Sequence, residues 1–350
     1  MALLSYWIIE LNKIRLQIVE VRNRSNSIVG EAIKIEKEAS DLVNINSETT
    51  FTFGGDLMFD RYVNHLFKNS DSKNVFSLFD VSIFTGADIA MANLEGPISK
   101  TEIDDNTNPN NLVFNFPPDT VEALKFLQLN AVSLANNHSL NKGETGFANT
   151  EKVLLEASIQ PVGQQANFNE DSIWRIEEDS NRLPVSIITV DMVSDYNLEE
   201  ICEAIKNEDR EYFVIIFPHW GYEYQTHHSV LQEEAAMVFV EAGADLIVGA
   251  HPHVVQDIQI IDNVPVVYSL GNFVFDQYFS KATQQGLIVT GAVRKNQVKL
   301  SFHPLVIGNK SQPEIVTAAF REQLLAELNL EEICIDDCQL EDTDTIIISR

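Results

Sequence analysis

The chain has 350 residues, 45% of them hydrophobic, with 52 acidic against 24 basic side chains and a formal charge of −28. That length allows one large α/β domain with extensions, or two domains, and the apolar content suffices for a sizeable core. So acidic a surface repels phosphate backbones and argues against nucleic acid as a partner, while its plain consequence is solubility.

Residues 1–48 read ambiguously. Leu4, Ile8, Leu11 and Ile18 fit a helical face, but Ile14, Leu16 and Ile18 also alternate as in a strand. They are treated as an extension packing on the main domain. The apolar run 2–9 is cut by Glu10 and is too short to span a membrane. No basic segment precedes it and no small-residue cleavage site follows. The chain as given is therefore expected to have no transmembrane segment and to be cytoplasmic.

From residue 50 onward, short apolar runs recur and each stops in polar residues. Strands are predicted at 50–53, 89–92, 131–135, 213–217, 246–248 and 266–268. Helices are predicted at 75–84, 120–129, 145–156 and 228–242, the last with Val230, Leu231, Ala235, Val238 and Phe239 on one side and Gly243 ending it. After Val254 the pattern changes to hairpins, 258–261 with 264–268 and 287–293 with 298–302, which should complete a second sheet. A final helix is predicted over 314–328, then an acidic, mobile tail over 331–344 and an edge strand at 345–349. The cysteines, Cys202, Cys334 and Cys338, lack the second pair a zinc site needs and indicate no disulfide framework.

The polar residues at the strand ends carry the chemistry. They include Asp56, then Glu95, Asn137, His219, and finally His251 and His253 around Pro252. Open α/β sheets bind ligands at that edge. Turn chemistry accounts for Gly54, Gly55, Asn136 and Gly271, but not for histidines and acids at successive strand ends. Asp56, Glu95, Asn137, His219, His251 and His253 form a mixed oxygen and nitrogen set without thiolate, which suits Mn, Fe or Zn. Six ligands exceed one tetrahedral site, so two divalent ions about 3.5–4 Å apart are expected, activating water and clamping the oxygens of a hydrolytic displacement.

These residues lie in a set of strings: Gly-Asp-x-Met-x-x-Arg at 55–61, Asn-Leu-Glu-x-Pro at 93–97, Asn-Asn-His at 136–138, His-Trp-Gly-x-Glu-Tyr at 219–224, Ala-His-Pro-His-Val at 250–254 and Ser-Leu-Gly-Asn-Phe-Val-Phe-Asp-Gln at 269–277. In kind and order they resemble the CapA-type capsule-synthesis, poly-γ-glutamate assembly proteins. The resemblance implies a branch of the calcineurin-like metallophosphoesterases, an α/β fold with a β-sandwich flanked by helices in four layers, α/β/β/α. It implies the six metal ligands above, His138 as general acid beside the leaving group, and a catalytic role for Asp56. The domains would be 1–48, an N-terminal extension; 49–310, the metallophosphoesterase-like domain; and 311–350, a C-terminal helix and acidic tail.

The implied function is dinuclear metal-dependent hydrolysis in capsule or poly-γ-glutamate biosynthesis, of a phosphoester or of a γ-glutamyl amide. The alternative is a non-hydrolytic assembly or export factor using the same pocket. The implied partners are an anionic small-molecule or polymer substrate and a capsule-synthesis complex, and the implied location is the cell envelope. One departure stands out: the family usually carries Asp three residues after the histidine, where this chain has Asn141. Three further residues have two readings each. Arg61 either holds a substrate phosphate or carboxylate, with Lys142 as a further cation, or makes a surface salt bridge. Glu223 contacts substrate or orients a ligating histidine, or lies at the rim. Asn272 contacts metal or substrate, or caps a turn after Gly271.

Overall fold

The computed structural model describes residues 47–68, 76–99, 107–208, 210–308, 311–316, 318–334 and 338–349, with Lys34 alone before them. They belong almost wholly to the second of two compact units, Glu48–Arg350. The expectations for residues 1–46 lie outside the described residues.

Two sheets form the unit. The larger runs in the order β15 (Gln339–Asp342), β16 (Thr345–Ser349), β13 (Gln297–Ile307), β12 (Gln285–Arg294), β1 (Thr49–Leu57), β2 (Ile89–Leu94), β3 (Ala131–Ser133), β4 (Gln160–Val162). Two short strands join it, β11 (Asn272–Val274) beside β1 and β14 (Pro313–Ile315) beside β13. The smaller sheet runs β5 (Ile173–Ile176), β6 (Val185–Asp191), β7 (Phe213–His219), β8 (Leu246–Val248), β10 (Val264–Val267), β9 (Ile258–Ile261). β1 to β4 are mutually parallel, as are β6, β7, β8 and β10.

The apolar runs are continuous because these strands are buried on both faces. Phe51, Phe53, Met91, Ile187, Ile215, Phe217, Leu246 and Val248 fill the space between the sheets. Their neighbours point the other way. Ile188, Ile216 and Ile247 pack under α4 (Leu198–Asn207) and α5 (Val230–Ala242), against Ile201, Ile205, Ala236 and Phe239. Ala90, Ala92 and Val132 pack under α1 (Arg61–Lys68), α2 (Thr120–Phe126) and α3 (Gly143–Glu156), against Val63, Leu124, Phe147 and Leu154. The layers are therefore α/β/β/α. Each fully buried Phe, Leu or Ile in them contributes roughly 1.5–3 kcal/mol.

Several elements differ from the sequence pattern. Residues 76–84 form a turn and a 3-10 helix, not an α-helix, because the Asp80 side chain accepts from Ser82 N–H and restarts the chain at Val81. In α5 the buried face is Gln232, Ala235, Ala236, Phe239 and Ala242, while Val230, Leu231 and Val238 are exposed. Gly243 ends that helix with φ +118°. The 258–267 hairpin closes the smaller sheet, but the β12–β13 hairpin joins the larger one, antiparallel to β1. Residues 313–315 form β14 rather than the start of the final helix, which is α6 (Ala318–Leu328).

The acidic tail is also ordered where described. Leu330–Ile333 is a helical turn, α7, and β16 pairs with β13 because alternate residues Ile346 and Ile348 are buried in the inter-sheet core. Cys334 and Cys338 are joined by a disulfide, contrary to the expectation of none. Their spacing places the Cα atoms 4.7 Å apart, within bridging range.

Candidate metal centre

The C-terminal ends of β1, β2, β7 and β8 meet at one place between the sheets, and the predicted ligands meet there with them. Asp56 sits at a bulge where β1 changes register against both β2 and β11. Gly55 precedes it because a Cβ there would collide with the Gly271 carbonyl. Asp56 is fully buried; one carboxylate oxygen accepts from Asn93 Nδ2 at 2.8 Å and the other from His251 N–H at 3.3 Å.

Glu95 follows β2 directly and is 1% exposed, yet neither carboxylate oxygen has a hydrogen-bond partner. An unpartnered buried carboxylate is costly. Imidazoles are its near neighbours, with His253 Nε2 3.5 Å and His138 Nε2 3.7 Å from Oε1. Burial pushes the Glu95 carboxyl well up, with His253 opposing and Asp56 adding to the rise. His253 Nδ1 lies 3.2 Å from Asp56 Oδ2 and 3.1 Å from Asn272 Oδ1. Burial alone would lower its pKa, but Glu95 and Asp56 outweigh it and raise it to about 9. Ligand atoms of Asp56, Glu95 and His253 all lie within 4.8 Å of one another. Two hard oxygens without partners beside an imidazole are a donor set that fits a divalent cation.

A second group of donors adjoins the first. His219 ends β7; its Nε2 is 3.0 Å from Asn137 Oδ1 and 3.1 Å from His251 Nδ1. Burial, then the neighbouring histidines, hold His219 well below its ordinary range. Burial and His253 likewise push His251 down to about 3. Both rings are therefore neutral, the form in which imidazole binds metal. His251 and His253 hold φ of +99° and +58°. Such conformations cost of order 1–3 kcal/mol each and persist only where surrounding structure enforces them.

All six predicted ligands are thus brought together, and His138 stands at their edge. Its Nδ1 is 3.2 Å from Asn141 Oδ1 and its ring centroid is 4.5 Å from that of Phe114. Asn141 Oδ1 also accepts from Phe114 N–H at 2.7 Å, so one amide fixes both the ring and the 107–116 segment. Burial lowers the His138 pKa and the Asn141 contact partly offsets it.

Arg61 corrects the surface salt-bridge reading. It is 3% exposed, its guanidinium pairs with Asp276 and donates to the Pro109 carbonyl at 2.8 Å, and it lies over the rings of Phe114 and Phe275. Asn272 is buried too; its amide donates to the carbonyls of His253 and Thr283 and to Gln277. Glu223 is exposed and lines a cavity with His251 and Asn137. Two residues of the centre were missed in the sequence. Asn93 Nδ2 lies between Asp56 and His219 Nδ1, and Asn136 donates to Asn93 Oδ1 at 3.0 Å and to the Leu94 carbonyl. Their type at strand ends signals only turns, and the sole sequence hint is their adjacency to Glu95 and Asn137.

Fold and site together define a four-layer α/β/β/α protein with a buried carboxylate and imidazole centre at the strand ends. Residues 50–277 match the family of bacterial capsule synthesis protein PGA_cap, and the chain belongs to that family. It is 28% identical over 307 residues to the capsule biosynthesis protein CapA of Bacillus anthracis, covering 81% of this chain and 73% of that one. It is 26% identical to the PGA biosynthesis protein CapA of Bacillus subtilis strain 168, over 76% of this chain and 72% of the other. A predicted phosphoesterase from Streptococcus pneumoniae TIGR4 aligns over 78% of this chain and 95% of its own at 11% identity, with a TM-score of only 0.28. Among the described residues, no helix is long and apolar enough to cross a membrane.

Proposed function

We propose that the protein is a metal-dependent hydrolase of the calcineurin-like phosphoesterase type, acting in capsule or poly-γ-glutamate biosynthesis at the cell envelope. The observation that carries this reading is the Asp56, Glu95 and His253 cluster, with both Glu95 oxygens buried and unpartnered. Asp56, Glu95 and His253 would hold one divalent ion, and Asn137, His219 and His251 a second. Bound there, such ions supply Lewis acidity and a nucleophile at neutral pH.

The chain's own residues do the rest. Asn93 and Asn272 hold Asp56 and His253 in place through hydrogen bonds. His138, oriented by Asn141 and walled by Phe114, stands where it can give a proton to a leaving group. Arg61 acts by pinning the 107–116 segment through the Pro109 and Asn111 carbonyls, beside that histidine.

The test is elemental analysis of purified protein, followed by assay with the metal found against a panel of phosphomonoesters, phosphodiesters and γ-glutamyl amides. Turnover lost in His138→Ala with metal retained supports hydrolysis. Bound metal without turnover on any substrate overturns hydrolysis and favours the second reading, a non-hydrolytic assembly or export factor. What favours that reading in the chain itself is Asn141, an amide where the family resemblance implies a carboxylate.

A further inference from the structure

Beside the centre lies a cavity of about 460 Å³ with His251 and Asn137 on its wall. Its other walls come from the loops after β6 and β7 and from the first turn of α5. Val193, Tyr196, Tyr222 and Leu231 line it, and they are exposed at 39%, 48%, 58% and 62%. Large apolar side chains left in water singly are ordinary, but four from three segments facing one hollow beside a reactive centre mark a binding site. This also accounts for α5: Leu231 breaks the helix's buried stripe because it faces the cavity.

The polar groups of the lining are mostly committed inside the protein. Gln232 donates to Gln256 at 2.9 Å and accepts from Ser229 N–H at 2.9 Å. Trp220 Nε1 donates to the Tyr268 carbonyl at 2.8 Å, leaving its ring as wall. Among the lining residues Glu223 is the sole carboxylate, and no lysine or arginine is present. An anionic group would meet Glu223 without a counter-cation, whereas an apolar group would meet rings and a branched aliphatic chain.

We infer that this cavity binds an uncharged aromatic or branched-aliphatic group joined to the anionic group held at the metal centre. The substrate is accordingly amphiphilic at its reacting end. The inference deepens the hydrolase reading and rests on it for the position of the anionic group.

The probes are phenylphosphonate and methylphosphonate, titrated calorimetrically into manganese-loaded full-length protein. Phenylphosphonate should bind about tenfold or more tighter, the return for burying one ring. Leu231→Asn should erase that advantage while leaving methylphosphonate affinity within about twofold, since Leu231 is exposed and carries no metal-ligating group. Equal affinities of the two phosphonates in the unmodified protein overturn the inference and leave the metal centre standing. Binding of neither overturns the metal reading instead. Benzyl alcohol then decides the cavity by saturation-transfer NMR. Transfer lost in Leu231→Asn supports the apolar subsite, and no transfer in either protein overturns it.

Discussion

His251 and His253 stand two residues apart on one loop, each buried, each with a left-handed backbone, yet they are driven in opposite directions. His253 faces Glu95 and Asp56 and is raised to about 9. His251 is lowered to about 3 by burial and then by His253, with Asp56 opposing only in part. Burial acts the same way on both rings, so the neighbours decide. The centre therefore has two halves of different character. In the carboxylate half, a proton on His253 compensates buried negative charge. In the imidazole half, the rings are already neutral and ready to donate. A cation entering the first half must displace a proton; one entering the second need not.

The largest expected effect separates the halves by occupancy. Asp56 faces both, so Asp56→Ala should leave less than about a tenth of the bound metal. His251→Ala should remove most of it and lower the melting temperature of the loaded protein, since stabilisation by a ligand follows its affinity. Elemental analysis of both variants checks this. Metal stoichiometry unchanged in His251→Ala would remove that histidine from the centre and collapse the comparison.

The second prediction tests the opposed titrations directly. In metal-free protein, the His253 ring should stay protonated up to about pH 9, while the His251 ring should stay neutral down to about pH 3. Imidazole proton shifts in NMR read both. A raised pKa stabilises the fold below the ordinary value of 6.5 and that contribution is lost as pH rises through 9. Glu95→Gln should bring His253 down by more than one pH unit and leave His251 nearly unmoved. Metal loading at pH 7.5 should release about one proton per chain, measured calorimetrically in buffers of different ionisation enthalpy.

Much of this centre could be read before the structure, and the reason is geometric. Strands buried on both faces give unbroken apolar runs, so the first polar residue after each run is conspicuous. Asp56, Glu95, His219 and His251 all follow such runs. Asn93 and Asn136 were hidden because an amide at a strand end looks like a turn former. The burial of Arg61 was not legible because its partner, Asp276, is 215 residues away and no local pattern joins them. The outward face of α5 was misplaced because periodicity finds an apolar stripe without saying which side of the helix is buried: Val230, Leu231 and Val238 are exposed while Ala235 and Phe239 are buried. The strand at 345–349 was legible from its isoleucines, whereas α7 and β15 were hidden by the acidic composition around them.

A smaller effect concerns the histidine at the edge of the centre. Asn141 Oδ1 accepts from both Phe114 N–H and His138 Nδ1. Asn141→Asp keeps both acceptors and adds a charge, so the 107–116 segment should stay in place. The His138 imidazolium should then survive to higher pH by about one pH unit. If His138 is the acid, the alkaline limb of the pH–rate profile moves up with it, with metal content unchanged. A fixed profile alongside a moved NMR titration would show that another group protonates the leaving atom.

The smallest effect extends the comparison to a histidine whose pKa is set by burial and an arginine. His303 lies on β13, its Nε2 2.9 Å from Thr290 Oγ1. Burial, then Arg321, lower its pKa from 6.5 to about 4. It thus behaves like the imidazole half of the centre, without any role there. The folded protein binds this proton less readily than the unfolded chain, so stability is lost as pH falls from 6.5 toward 4. The loss should be on the order of 1–2 kcal/mol once partial exposure is allowed for. His303→Gln retains a hydrogen-bonding group for Thr290 but cannot titrate. Urea denaturation of the metal-free protein at pH 7 and pH 4.5 should therefore show a smaller acid loss in His303→Gln than in the unmodified chain. Carboxylates elsewhere contribute equally to both proteins, so the difference isolates this ring. An identical acid loss in the two would mean that Thr290 and the solvent at the sheet surface accommodate the charged ring, and that burial alone does not set an imidazole's state here.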